Sequence, residues 1–546
     1  MIPKSIIDKI IPILRHDARR ALRMYVPGFP RPYYCSFLLR DIHWFNTWAA
    51  SGSVYRRRSD HTRNVYCDIR VGSYRHDQVS NGGLFDNDEE LESVHHVTAP
   101  IDDTNYDGLK LALWRLTEAK FREALADHNQ KEALRISTVD PTEEFQSFVR
   151  NKRARFYKYG KPETINEEKW VKFCKHASRW MSNLPHVSSA WVEFDGSQQS
   201  RILVNTEGST IVQHGQVFSL TAMIRKLTKE GSHIEQEIVL NCGTQRELPS
   251  MREFKKMALE RYDRLLKLLR ARKINSFSGP VLLAPIPAGI LVHEAIGHRL
   301  EGSRLLAAGE GQTFKGHVGE RILNIDVTIH DNPRIKEFKG KRCIGSYDYD
   351  DEGTPARDAL LVEDGILRGF MNTRSALEKK NYVPNGHARS KKFQRPISRM
   401  AVTMMEGRRG LSWDSLKELL VAEIKRQKAP FGMIVYSTSG GETETARYDF
   451  QGFSGEISYA TLVYPDGKEV CVRGVNFIGT PLQALSNIIA VGREQVMENG
   501  YCGAESGFIP VTTISPAILL RNLELQAKEE ELVTQYILPK PRLSKD

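Results

Sequence analysis

The chain has 546 residues, 40% apolar and 27% charged, with a formal net charge of +11. That length allows two or three domains with full hydrophobic cores, and the composition is that of a folded soluble chain with no low-complexity tract. The most apolar stretch, "VLLAPIPAGILV" at 281–292, is too short to span a bilayer and carries two prolines, so no membrane segment is expected.

The first elements carry most of the charge excess. Residues 1–75 hold fourteen Lys/Arg against five Asp/Glu, densest at Arg56-Arg57-Arg58. Such a patch can serve nucleic acid, an acidic membrane or an acidic partner, but no nucleic-acid-binding signature accompanies it, so a solvated basic face is expected. The opening segment lacks an uncharged core and a cleavage site, and reads as an amphipathic helix over 1–25. Extended segments follow at 32–72, then a polar loop at 76–92 that leads to the exposed pair His95-His96. Apolar spacings of three and four predict a long helix over 107–136, and 140–183 reads as helical and basic.

From 187 to 243 the pattern changes to period two. "SAWVEFDGS", "RILVNTEGS", "QVFSLTAMIRKL" and "HIEQEIVLNC" predict strands of an antiparallel meander. A further helix is expected over 249–273, and a domain boundary at 275–280. Beyond it the chain reads as β-rich, with hairpin turns at its "EDG" and "PDG" sites. The expected fold class is α+β: a mixed N-terminal half (1–275) with the meander, and a β-rich metal-binding half (276–546). Seven scattered cysteines with no C-x-x-C argue for a reducing compartment, with the cytoplasm expected.

The chemistry concentrates at "LVHEAIGHRLEG", 291–302. His293 and His298 are five apart, about 140° around an ideal helix, so one ion can use both only if the helix is distorted. Gly297 is the residue expected to allow a bend, and an inserted residue would make a π-bulge. His293 and His298 would supply imidazole nitrogens to Zn²⁺, and Glu294 suits a general base for a metal-activated water. Local sequence leaves the third ligand open between Glu301 and a distant Cys or His.

"HEAIGHRLEG" resembles the metal motif of the TldD/PmbA family of zinc-dependent peptidases. The resemblance continues in order through "DYDDEGTPARDALLVEDGILRGFMNTRSA" (348–376), "NGHARS" (385–390), "PISRM" (396–400), "GFSGEISYATLVYPDGKEVCVRGVNFIGT" and "YCGAESG" (501–507). The N-terminal half matches only in general layout. Both metal histidines are kept, as in the catalytic, TldD-like branch. The stretch after the metal cysteine departs from the family's usual C-G-K-x-G-Q, which bears on substrate contacts and not on the ligand.

The resemblance implies Cys502 as the third zinc ligand, unfolded or short peptides as substrates, and a dimer, either with itself or with a PmbA/TldE-like paralogue. Asn385 and Arg389 are candidates for orienting the substrate backbone, and Ser439 and Gly440 in "YSTSGG" for a peptide-binding strand edge. Asp350, Asp351 and Glu352 are expected to form a surface turn. The alternative function is a non-catalytic partner or binding subunit with a structural metal and a basic N-terminal interaction surface; nucleic acid is not the expected partner.

Overall fold

Two 19-residue strands, Pro32–Ala50 and Ser53–Val71, form one long antiparallel hairpin. Its turn is Ser51-Gly52, both at positive φ, the geometry that matches strand twist in a two-residue hairpin. In the computed structural model the described residues are 2–79, 97–137, 146–160, 162–307, 309–375, 382–446, 452–529, 532–534 and 540–541. His95-His96 and much of the polar loop before them lie outside this set.

The hairpin supplies two strands of a sheet that has seven among the described residues. Strands Ser189–Asn205, Thr210–Leu227 and His233–Cys242 continue it as an antiparallel meander. "SAWVEFDGS" and "RILVNTEGS" thus form one strand, not two. The "DGSQQS" between them stays extended because Gly196 and its neighbours pair on both sides, with Phe45 and with Phe218.

Helix Lys4–Ala21 packs Ile7, Ile10, Leu14 and Ala18 into the core beneath this sheet, beside residues of helix Asp107–Ser137. Helix Glu167–Ser182 covers another part, with Trp170 stacked on Phe194. The helix expected to fill 140–183 is shorter. Residues 155–157 are instead an edge strand, parallel to Thr210–Val212, because that strand has free backbone groups to pair. The basic triplet is not bare: Arg56 pairs with Glu193, and Arg57 with Glu167 and Glu168.

Helix Met251–Arg270 starts with a capping box, Ser250 and Glu253 each satisfying the other's backbone N–H. A second sheet, of twelve strands among the described residues, is built from 272 to 527. Its spine is Ile509–Ala527, which pairs with Phe277–Leu283, Val402–Gly407, Val475–Gly479 and Ile488–Cys502. The expected hairpin turns are present, with Asp364, Gly365 and Gly467 at positive φ. The fold class is α+β.

Asp350, Asp351 and Glu352 are buried and not a surface turn. Asp351 bridges Arg40 and Arg201 of the first sheet, each at 2.9 Å. Asp350 accepts backbone N–H bonds from Glu352, Thr354 and Ala388. Buried carboxylates need such partners, and the first sheet supplies the two guanidiniums. No helix of the described residues is long and apolar enough to cross a membrane.

Candidate metal centre

Strand Phe277–Leu283 runs into helix Pro285–Val292. Two prolines sit in its first turn, where their missing N–H groups have no intrahelical acceptor to lose. The helix is apolar all round and packs against the spine of the second sheet, so its axis is held on both sides.

At His293 the helix changes pitch. His293–Gly297 is a π-turn, and the N–H of His298 donates to the carbonyl of His293. A bond between residues five apart brings residues five apart onto one face. That resolves the 140° mismatch of the spacing: the two imidazole rings lie 5.0 Å apart, nearly perpendicular.

Gly297 has a different role from the one expected. Its φ and ψ, −53° and −60°, are ordinary right-handed helical values. A Cβ there would lie 2.0 Å from the sulfur of Met400. The glycine is required for space, not for backbone freedom.

Cys502 ends strand Ile488–Cys502, whose pairing with Ile509–Ala527 carries it to the π-turn. Its Sγ is 3.2 Å from His293 Nε2 and 3.4 Å from His298 Nε2. All three donor atoms lie within 4.8 Å of one another, a group that could hold a metal ion. Tetrahedral zinc with ordinary Zn–N and Zn–S lengths places such atoms about 3.6 Å apart. The donor set and its spacing therefore fit zinc.

Glu301, the local alternative for the third ligand, stands behind His298. Its Oε2 is 3.2 Å from Nδ1, which leaves Nε2 facing the cysteine. Arg304 holds the same oxygen at 2.9 Å and binds Glu505, on the loop after Cys502, through both of its terminal nitrogens. Glu294 is buried, with Oε2 3.9 Å from His298 Nε2. Gly441 gives it room, since a Cβ there would lie 3.2 Å from Glu294 Cγ.

Sequence reasoning passed over Arg399. This wholly buried side chain donates to Cys502 Sγ at 3.2 Å and to Cys502 O at 2.7 Å. It also donates to Ser506 Oγ and Gly507 O, clamping the cysteine loop. The available signal was a lone charge in the otherwise uncharged "PISRM".

Burial pushes the Cys502 thiol up, but His298, Arg399 and His293 outweigh burial and hold it well below the usual thiol range. Burial lowers both imidazoles, and the Cys502 thiolate reverses this, so both hold a proton above the usual range; Glu301 adds to the effect at His298. Glu294 is raised by burial, with the two histidines opposing. The cluster thus stabilises positive charge between a thiolate and two imidazoles, the electrostatic condition for a cation.

The remaining candidates sit farther out in the network. Asn385 accepts from the N–H of Asn372 and donates to Phe370 O, joining two loop segments. Arg389 is buried and donates to Met400 O and Pro510 O. Ser439 donates to Glu456 on the neighbouring strand, and Gly440 has open space where a side chain would stand. Gly441, one residue on, is the position of that strand against Glu294.

Comparison with known proteins finds relatives among metalloproteases. A family model described as the PmbA/TldA metallopeptidase C-terminal domain matches residues 276–527. The chain is 28% identical over 340 residues to a metalloprotease of Methanothermobacter thermautotrophicus, covering 62% of this chain and 69% of that one. It is 33% identical over 265 residues to a metalloprotease of Archaeoglobus fulgidus, covering 48% and 57%. It is 25% identical over 376 residues to a zinc metalloprotease TldD homolog of Saccharolobus solfataricus, covering 67% and 78%. In fold it resembles TldE from Thermococcus kodakarensis, with a TM-score of 0.61 and 15% identity over 96% of this chain and 100% of that one. Residues 276–527 thus form a PmbA/TldA-type metallopeptidase C-terminal domain, the domain that marks the TldD/PmbA family.

Proposed function

We propose that this chain is a zinc-dependent peptidase acting on short or unfolded peptides. His293, His298 and Cys502 hold the ion and Glu294 is the general base. The observation that carries the reading is the convergence of two imidazole Nε2 atoms on the Cys502 thiolate, with the Glu294 carboxylate 3.9 Å from His298 Nε2. When bound, zinc supplies Lewis acidity, which polarises a peptide carbonyl and makes water nucleophilic near neutral pH.

The side chains do the rest. Glu301 accepts from His298 Nδ1–H and so keeps the lone pair of Nε2 free for the ion. Arg399 donates to the thiolate and draws off part of its charge. Glu294 takes a proton from the attacking water and returns it to the leaving amine, in surroundings that exclude bulk solvent.

The working form in this reading is a dimer, with itself or with a TldE-like paralogue, as the family resemblance of the motifs implies. The same reading takes residues 1–275 and 276–546 as two domains, because each sheet is built almost wholly within one segment.

The test is cleavage of an unstructured peptide library by zinc-loaded wild type and Glu294→Gln. Cleavage is expected from the wild type, with a loss of about 10²–10⁴-fold in the variant at unchanged zinc content. Equal cleavage by both, or none by the wild type alone and with a TldE-like partner added, would overturn the reading.

A further inference from the structure

The first sheet carries a second set of metal-binding side chains. Asp41 and His43 are two apart on strand Pro32–Ala50 and share one face. Strand Ser53–Val71 places Arg63 and His61 directly opposite them. The two imidazoles stack with centroids 3.8 Å apart and an interplanar angle of 18°. Both rings turn Nε2 toward Asp41: His43 lies 3.4 Å from Oδ1 and His61 3.0 Å from Oδ2.

Asp41 is wholly buried, and its two oxygens are unequal. Oδ2 accepts from Arg63 Nε at 2.9 Å and contacts His61. Oδ1 has no hydrogen-bond partner. The approach of His43 is close, but it is not aligned as a hydrogen bond. A buried anionic oxygen without a donor is costly, and a cation relieves that cost.

The ligand atoms lie within 4.8 Å of one another, and zinc with ordinary bond lengths needs neighbouring N and O ligands about 3.3 Å apart. The histidine side chains are 41% and 28% exposed and line a cleft of 540 Å³. An ion therefore has a path in. The carboxylates of Asp60 and Glu163 line the same cleft and add negative potential.

We propose that Asp41, His43 and His61 form a second metal site for a divalent transition ion of the zinc, cobalt and nickel type. The two imidazole Nε2 atoms, with the rings turned out of their stack, and Asp41 Oδ1 hold the ion, and Arg63 fixes the carboxylate through Oδ2. Imidazole with one carboxylate is the donor chemistry of these ions. Three ligands from two paired strands leave the other coordination positions facing the cleft, where water or a small anionic group can bind. The site shares no residue with the His293 cluster and does not depend on the peptidase reading.

The test is Co²⁺ titration of the full chain, followed by absorption spectroscopy and metal analysis. Cobalt at Asp41, His43 and His61 has no thiolate ligand and gives no sulfur-to-cobalt charge-transfer band. The expected result is one Co²⁺ per chain outside that band, retained in Cys502→Ser. His43→Gln and His61→Gln should each weaken it at least about 10-fold, the low end of the effect of disturbing metal-site partners. Far-UV circular dichroism confirms that both variants fold, and either folded variant suffices. Retention of that ion by a folded variant, or no Co²⁺ bound to Cys502→Ser, overturns the proposal.

Discussion

Within the metal centre two of the three donors are aimed by side chains that are not themselves ligands. Glu301 sets His298, and Arg399 and the Arg304–Glu505 pair set the loop that carries Cys502. Replacing Glu301 by Gln keeps the volume but allows the amide nitrogen to face Nδ1. The tautomer that presents the Nε2 lone pair is then no longer enforced. Zinc affinity, measured by competition with a chromogenic chelator, should fall about 10–100-fold. Unchanged affinity would mean that Glu301 serves only Arg304. The roles of Glu301 and Arg399 were not legible in the sequence. Glu301 lies three residues from His298 and could have been a ligand itself. Arg399 is 103 positions from Cys502, and no local pattern links them.

The decisive element is the π-turn. It exists because the helix before it is held on the sheet while Gly297 lets Met400 approach from the other side. Gly297→Ala drives a methyl into the Met400 sulfur. Overpacking of this kind should cost about 1–3 kcal/mol in denaturant unfolding and displace His298. Met400→Ala in the same chain should restore zinc affinity while leaving part of the stability deficit, since it opens a cavity. If Gly297→Ala alone binds zinc like the wild type, the turn tolerates a side chain and the close contact is incidental. At this scale the sequence was informative in one respect and mute in another. The late histidine demanded a distorted helix, and a π-bulge was among the forms it allowed. The reason for the glycine lay in a side chain from another segment.

Across the whole molecule, the two sheets meet through charge. Asp351 reaches Arg40 and Arg201, and Glu207 reaches Arg374 at 2.6 Å. Burial alone would raise the Asp351 carboxyl, but the two guanidiniums outweigh burial and hold it below the usual range. The charged form is therefore favoured in the folded state. Its contribution is present above the ordinary aspartate pKa, about 4, and is lost as pH falls through the depressed folded value. Asp351→Asn should cost about 3–5 kcal/mol near neutral pH, because it leaves the buried Arg40 and the half-buried Arg201 guanidiniums without their carboxylate. Thermal unfolding from pH 7 to 2 checks this: the gap between wild type and variant should narrow below about pH 4. A gap independent of pH would assign the loss to packing.

The sequence by itself determined what depends on neighbours along the chain. Helix periods, the Ser250–Glu253 box, the turns at Asp364-Gly365 and Gly467, and the α+β class all follow from local backbone preference and apolar spacing. Local order is also why 140–183 misled: Arg155-Phe156-Tyr157, set within a basic run, forms an edge strand once Thr210–Val212 offers its backbone. The position of Cys502, 209 residues from His293, followed only from family resemblance, and it is the pairing of Ile488–Cys502 with Ile509–Ala527 that brings the two together. The burial of Asp350–Glu352, the clamp by Arg399 and the meeting of Asp41 with His61 likewise belong to tertiary structure. Each depends on which strands lie side by side, and strand order is set by the packing of whole faces, which no short window of sequence contains.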